Sequence, residues 1–207
     1  MTPAGSAENS FVPCNVKLLN TPGVHFLARR FGSPGLRQAA YDAKFLAGKW
    51  DTGPGEVSPV LVETVLRYAG GGRVALMGCG TGGLAAVLDR SGCASILGID
   101  LSPVAVERAK GLALAHARFE VADICSWECT GRYDAIVLEE SLYYLSRREQ
   151  ERFLAAHRAS LTRTGVFVVT VSDAARYRAM LNMIRSRYQV LEDRENWNAR
   201  QRLIVFR

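Results

Sequence analysis

Four acids and a run of glycines carry the chemistry open to this sequence. Gly78, Gly80 and Gly82 form a G-x-G-x-G stretch inside VALMGCGTGG. Glycine accepts left-handed backbone and lets a ligand approach the main chain closely. Amides at the start of a following helix can donate to a polar or anionic group. Alone, such a turn marks only a tight strand-to-helix connection. Asp100 closes the segment SILGID. It lies at about the 20-residue distance beyond the glycines from which an acid can accept both hydroxyls of a ribose. It could equally cap a helix beside Ser102. Asp123, in VADI, could accept from the amino group of an adenine, or could simply close a turn. Glu139 and Glu140 open EESLYY, where two carboxylates and Tyr143 could bind or deprotonate an acceptor. Earlier, YDAKFLAGKWD offers Tyr41, Phe45 and Trp50, which could stack on a base or favour a cation, or could only pack.

These residues need elements to place them. From Arg73 onward, short apolar runs alternate with amphipathic stretches. RVALMG, SILGID, ARFEVAD, YDAIVLEE and GVFVVTVSD read as strands, near-continuous in apolar residues as strands buried on both faces are. TGGLAAVLDRSG, SPVAVERAKGLALA, SRREQERFLAAHRASL and ARYRAMLNMIRSR read as helices, the first beginning at about Thr81. Strands alternating with helices predict a mostly parallel sheet covered on both faces. YQVLED and QRLIVFR have only a short polar link between them and predict an antiparallel edge hairpin. In an open sheet of this kind ligands bind beyond the carboxyl ends of the strands. Each of the four acids falls there.

The region before the first strand is different, with five of the seven prolines before Pro59. Residues 1–12 read as loose, 35–48 as one amphipathic helix, and 58–70 as a helix with Ser58 as cap and Pro59 at its first position. The expected division is an N-terminal lid or cap segment over 1–57, partly disordered, and a core domain over 58–207. A lid here could close over a bound cofactor and exclude water.

The order of these motifs resembles the class I S-adenosylmethionine-dependent methyltransferase family. VALMGCGTGG, LGIDLSP, VADI and YDAIVLEESLYYL carry the resemblance, and it spans residues 73–207. It implies a Rossmann-like seven-stranded sheet with an antiparallel C-terminal hairpin. Nicotinamide-dependent oxidoreductases are the main competitor; their fingerprint is G-x-G-x-x-G, whereas Gly78-Cys79-Gly80-Thr81-Gly82 follows the methyltransferase form, and they rarely end in such a hairpin. The resemblance implies S-adenosylmethionine as cofactor, held by Gly78, Cys79, Gly80, Gly82, Asp100, Leu101, Asp123, Ile124 and Glu139. Asp100 would take the ribose hydroxyls, Asp123 the adenine amino group, and Glu139 would face the methionine end and the acceptor. Glu139, Glu140 and Tyr143 are the expected acceptor-side residues, and the post-strand segment is similar to that of nodulation-type N-methyltransferases. One position departs from the family. Its acid two residues before the first glycine, which normally helps hold the cofactor's amino group, is Leu76 here.

Three function classes follow from these residues. The first is methyl transfer to an N or O atom of a small-molecule acceptor, a natural product or sugar-like metabolite, as part of biosynthesis. His157 and His116 read as packing or wrong-end residues, and only His25 could reach the site from a lid, which weighs toward an amine acceptor. The second is a non-catalytic cofactor- or partner-binding protein on the same scaffold, kept open by Leu76. The third is an RNA or protein methyltransferase. With 26 Lys and Arg against 20 Asp and Glu, the excess of +6 is moderate and has no basic stripe interleaved with aromatics, which disfavours nucleic acid. The five cysteines have no paired metal-ligand spacing, so a zinc site is not expected. Mean hydropathy near zero, no leader pattern and no apolar run of membrane length predict a soluble, cytoplasmic protein.

Overall fold

The computed structural model describes residues 14–51, 53–196 and 200–207. They fall into two compact units, 1–49 and 50–207. Among the described residues the first holds three helices: α1 (Cys14–Leu19), α2 (Pro22–Phe31) and α3 (Pro34–Leu46). Only α3 is expected from the sequence. Its start is set by Ser33, whose hydroxyl accepts from the Leu36 amide at 3.3 Å, and by Pro34 at the first position. α1 is only six residues long, and the ten residues of α2 lie between Pro22-Gly23 and Gly32-Ser33-Pro34, a setting rich in Pro and Gly that masks an amphipathic helix. The expected loose segment 1–12 lies outside the described residues.

The second unit alternates helix and strand: α4 (Pro59–Ala69), β1 (Arg73–Met77), α5 (Gly83–Arg90), β2 (Ser95–Asp100), α6 (Pro103–Lys110), β3 (Ala117–Val121), β4 (Tyr133–Leu138), α7 (Arg147–His157), β5 (Leu161–Val171), α8 (Arg178–Arg187), β6 (Val190–Glu195) and β7 (Arg202–Phe206). The helix starts follow their capping residues. Ser58 accepts from the Leu61 amide and Ser102 from Ala105, at 3.3 and 3.2 Å, with Pro59 and Pro103 next in line. Gly70, at φ 56°, ends α4 in the left-handed conformation that favours glycine. Ser146 and Glu149 form a reciprocal capping box on α7.

The seven strands form one sheet in the order β3-β2-β1-β4-β5-β7-β6. β1 to β5 are parallel, and β7 runs antiparallel between β5 and β6. This is the expected Rossmann-like sheet with its terminal hairpin. Alternation sends successive side chains to opposite faces. Leu76, Val137 and Val168 join α4, α5 and α6 residues such as Leu61, Leu88 and Val106 in one core layer. Met77, Ile136 and Phe167 join Phe153 of α7 and Met183 of α8 in the other. Each fully buried Leu, Val or Phe contributes about 1.5–3 kcal/mol, so the two layers dominate the stability. The chain winds outward from β1 to β3 and then returns to β4 on the other side of β1. The crevice between β1 and β4 is therefore the switch point at which ligands bind.

Three boundaries differ from expectation. α5 begins at Gly83 rather than near Thr81, because Gly82 sits at φ 87° and cannot belong to a right-handed helix. α7 stops at His157, and β5 already begins at Leu161, where the pairing with β4 carries a register shift between Tyr133 and Ala135. α8 begins at Arg178, after a turn in which Asp173 caps the Arg176 amide at 3.0 Å.

Candidate functional site

The glycine turn is tied to the end of β2. The amides of Gly78 and Cys79 both donate to the Ile99 carbonyl, at 2.8 and 2.9 Å. The Gly80 amide donates to Asp100 Oδ2 at 2.9 Å, and the Ser102 amide to Asp100 Oδ1 at the same distance. Gly78 takes φ 83°, and a Cβ there would come within 2.8 Å of the Ser141 Cβ. Real Cβ atoms do not approach so closely, so glycine is required on both counts. Ser141 in turn donates from Oγ to the Met77 carbonyl at 2.6 Å, locking the segment after β4 onto the end of β1. Nothing in the sequence marks Ser141 for this role beyond its place after two acids. Gly78 is the clue, since it leaves room for Ser141.

Asp100 is the last residue of β2 and only 7% exposed. Its two backbone bonds fix its carboxylate beside the glycine turn. Ser102, not Asp100, caps α6. Leu101 is half-buried next to it. Asp123 follows β3, half-buried, with Oδ1 accepting from the Cys125 amide at 2.9 Å. It thus closes a turn, as one of the two sequence readings has it, and Ile124 packs toward the layer that holds Met77.

The two glutamates after β4 part company. Val137 pairs with Leu76 in the β1–β4 register, and Glu139 continues the face of Val137. It lines a small pocket together with Leu76, Gly78, Cys79 and Leu84. Burial, and second the charge of Glu140, push its carboxyl up to about 7. Burial and the charge of Asp100 likewise push the Cys79 thiol up, so Cys79 is a neutral neighbour there. Glu140 turns the other way. Its φ of 49° is rare for a residue with a side chain, its amide donates to Thr170 Oγ1 at 3.1 Å, and its Oε2 accepts from the Tyr143 hydroxyl at 3.0 Å. Glu140 Oε1 is buried with no hydrogen-bond partner among the described residues. Burial, then Tyr144 and Glu140, push the Tyr143 phenol up, which keeps it a donor. Tyr143 stacks on Tyr177 with ring centroids 4.1 Å apart.

The remaining candidates scatter. Trp50 lies 5.7 Å from Tyr144, ring to ring, and so stands beside the segment after β4. Tyr41 and Phe45 belong to α3 in the first unit, where Phe45 is buried. His157 is a core residue, bonded through Nδ1 to the Phe153 carbonyl at 2.9 Å and stacked between Phe153 and Trp127. His116 sits exposed at the start of β3, paired with Asp89. The side chain of His25 lies outside the described residues. Among the described residues no group of His, Cys, Asp or Glu converges as a metal site, and no helix is long and apolar enough to cross a membrane.

A 3-2-1-4-5-7-6 sheet, with a glycine turn after β1 and acids after β2, β3 and β4, defines the class I methyltransferase fold. Residues 74–165 match the family model of a methyltransferase domain. No curated protein matches the chain. Solved structures are similar in fold. The N-methyltransferase NodS from Bradyrhizobium japonicum WM9, solved with S-adenosylhomocysteine, shares 21% identity at TM-score 0.60, covering 77% of this chain and 91% of that one. The DhpI–S-adenosylhomocysteine complex shares 16% at TM-score 0.64, covering 84% and 92%. A TehB-like S-adenosylmethionine-dependent methyltransferase from Corynebacterium glutamicum shares 21% at TM-score 0.60, covering 84% and 96%.

Proposed function

We propose that this chain binds S-adenosylmethionine and transfers its methyl group to an N or O atom of a small-molecule acceptor. One observation carries the reading: the glycine turn and Asp100 are bonded into a single unit at the switch point, with Asp123 and Glu139 at the ends of the flanking strands. The donor set fits the cofactor. Gly78 and Cys79 line the pocket, Asp100 would give its carboxylate to the ribose, and Asp123 and Ile124 would take the adenine. The NodS and DhpI structures, both solved with the demethylated cofactor, support the same assignment by analogy of fold.

When bound, the cofactor supplies an electrophilic methyl group on a positively charged sulfur. The protein's task is alignment, which can be worth about 7–11 kcal/mol. Tyr143 holds Glu140, and the Tyr177 stack holds Tyr143, so this group is rigid enough to orient an acceptor. An amine acceptor has to shed a proton first, and Glu140 is the carboxylate placed to receive it. The residues 1–57 act in this reading as a lid, and the protein works in the cytoplasm on a biosynthetic intermediate.

Calorimetry with S-adenosylmethionine and S-adenosylhomocysteine tests the proposal. Asp100→Ala should weaken both ligands by roughly ten- to a hundredfold, the value of hydrogen bonds to a charged group. Absence of binding by the folded wild-type chain at millimolar ligand overturns the reading. A second reading, cofactor binding without turnover, is favoured by one feature: Leu76 is buried and apolar at 3% exposure. Saturable binding with no product across a panel of amines and alcohols would select it.

A further inference from the structure

Four aromatic rings stand in a row beyond the carboxyl ends of β4 and β5. Trp50 lies 5.7 Å from Tyr144, Tyr144 4.7 Å from Tyr143, and Tyr143 4.1 Å from Tyr177, centroid to centroid. Three separate stretches of the chain supply them, and all four are only half-buried. Rings of this size gain most by burial, so a row left partly open at the strand ends marks a surface for a ligand. The row accepts positive charge: the Arg176 guanidinium lies over the Tyr177 ring, 5.6 Å from its centroid.

Glu140 stands at the hydroxyl of Tyr143. Its backbone is held in the left-handed region, at φ 49°, by the bond from its amide to Thr170. Strain of this kind persists only where the surroundings enforce it, and it gathers at binding sites. The Tyr143 hydroxyl has one hydrogen, which goes to Glu140 Oε2, and its oxygen also meets Ser172. Oε1 is left buried and without a hydrogen-bond partner among the described residues. It needs a donor from a ligand. The neighbouring acid makes the need one for positive charge too, since burial and then the charge of Glu140 push the Glu139 carboxyl up. An alcohol would bring a donor without charge, and a protonated amine brings both.

We propose that the acceptor is an amine carried on a flat aromatic body, with its nitrogen on Glu140 Oε1 and its ring against the row of Trp50, Tyr144 and Tyr143. The assignment rests on the methyltransferase reading above and narrows it from N or O to N. Glu140 takes the reacting nitrogen, and the row takes the body of the molecule. Tyr144 and Trp50 therefore set specificity, while Tyr177 works through Tyr143, which it holds in place by stacking.

The test uses the full chain loaded with S-adenosylhomocysteine and four probes: phenethylamine, phenethyl alcohol, hydrocinnamate and butylamine. Calorimetry and saturation-transfer NMR read their affinities. Phenethylamine should bind roughly tenfold tighter than phenethyl alcohol, the margin of a charged hydrogen bond over a neutral one. It should also bind roughly tenfold tighter than butylamine, which has the charge but no ring to stack. Hydrocinnamate, with the charge reversed, should not bind. Glu140→Gln should lose roughly tenfold for phenethylamine and leave phenethyl alcohol unchanged. Tyr144→Leu should weaken phenethylamine and spare butylamine. Phenethyl alcohol or hydrocinnamate binding as tightly as phenethylamine overturns the proposal, and so does an unchanged phenethylamine affinity in Glu140→Gln. Butylamine binding as tightly as phenethylamine overturns the aromatic body. The wild-type ranking needs no variant, so it decides the matter even where a variant fails to fold. If S-adenosylhomocysteine binds and none of the probes does, the proposal falls and the methyltransferase reading stands. If S-adenosylhomocysteine does not bind, both fall.

Discussion

Replacing Glu139 by Gln should make the ligand-free protein more stable at pH 8 and change it little at pH 5. The carboxyl titrates at about 7 in the folded chain against an ordinary value of 4.5. Below 4.5 the acid is protonated folded and unfolded, and it contributes nothing to pH dependence. Between the two values the unfolded chain ionises and the folded chain does not, so stability falls as pH rises. Above 7 both are ionised and the penalty is complete. Each tenfold change in an acid dissociation constant corresponds to about 1.4 kcal/mol, so the penalty reaches about 3 kcal/mol at pH 8 and stays under about 1 kcal/mol at pH 5. Gln keeps the shape and drops the charge, so the variant escapes that loss. Urea unfolding of both proteins at both pH values measures it. Other groups that titrate away from their ordinary values, such as Asp89 and Asp173, are common to the pair and cancel in the comparison. A difference between wild type and variant that is the same at pH 5 and pH 8 would refute the argument, because the Glu139 carboxyl would then not be desolvated in the folded chain.

Two further perturbations test the same architecture. Gly78→Ala combines a left-handed backbone with a Cβ against Ser141, and it should cost about 1–3 kcal/mol in urea unfolding. Adding Ser141→Gly should recover only the steric part, and no recovery would mean that the backbone angle carries the whole cost. Leu76→Asp should be the most destabilising single change in the pocket, since it sets a second carboxylate beside Glu139 in an apolar wall. Combined with Glu139→Gln it leaves one acid in the pocket, so the double variant should be more stable than the sum of the singles; strict additivity in a double-mutant cycle would show that the two positions do not share a site.

The sheet was legible because its signals are local and redundant. Buried strands show as apolar runs, and Ser58, Ser102 and the prolines after them mark helix starts by chemistry that needs no tertiary context. The acids after β2, β3 and β4 were legible too, since the topology sends every strand end to the same edge. What failed to show in the sequence depends on contacts across the fold. Ser141 acts through a carbonyl of β1, far away in the chain. α7 gives way at His157 because Leu161 is drawn into pairing with Tyr133 of β4, a partner no periodicity reveals. α1 is too short to show a period, and that of α2 is masked by the Pro and Gly residues at both its ends.

The pair Glu139 and Glu140 shows the same limit at the site itself. In sequence they are adjacent and look interchangeable, a doubled acid beside an acceptor. Past the end of β4 they part, because the backbone turns left-handed at Glu140. Glu139 inherits the face of Leu76 and Val137 and meets an apolar pocket, while Glu140 bends back at φ 49° to take a hydroxyl from Tyr143. The apolar residue on β1 and the acid on β4 then belong to one design. A pocket lined by Leu76, Met77, Leu84 and Val137 tolerates one carboxylate when empty, because a second would add like-charge repulsion to the burial that already pushes the first up. Leu76 is therefore better read as the residue that leaves Glu139 the only acid there than as a defect in the glycine motif.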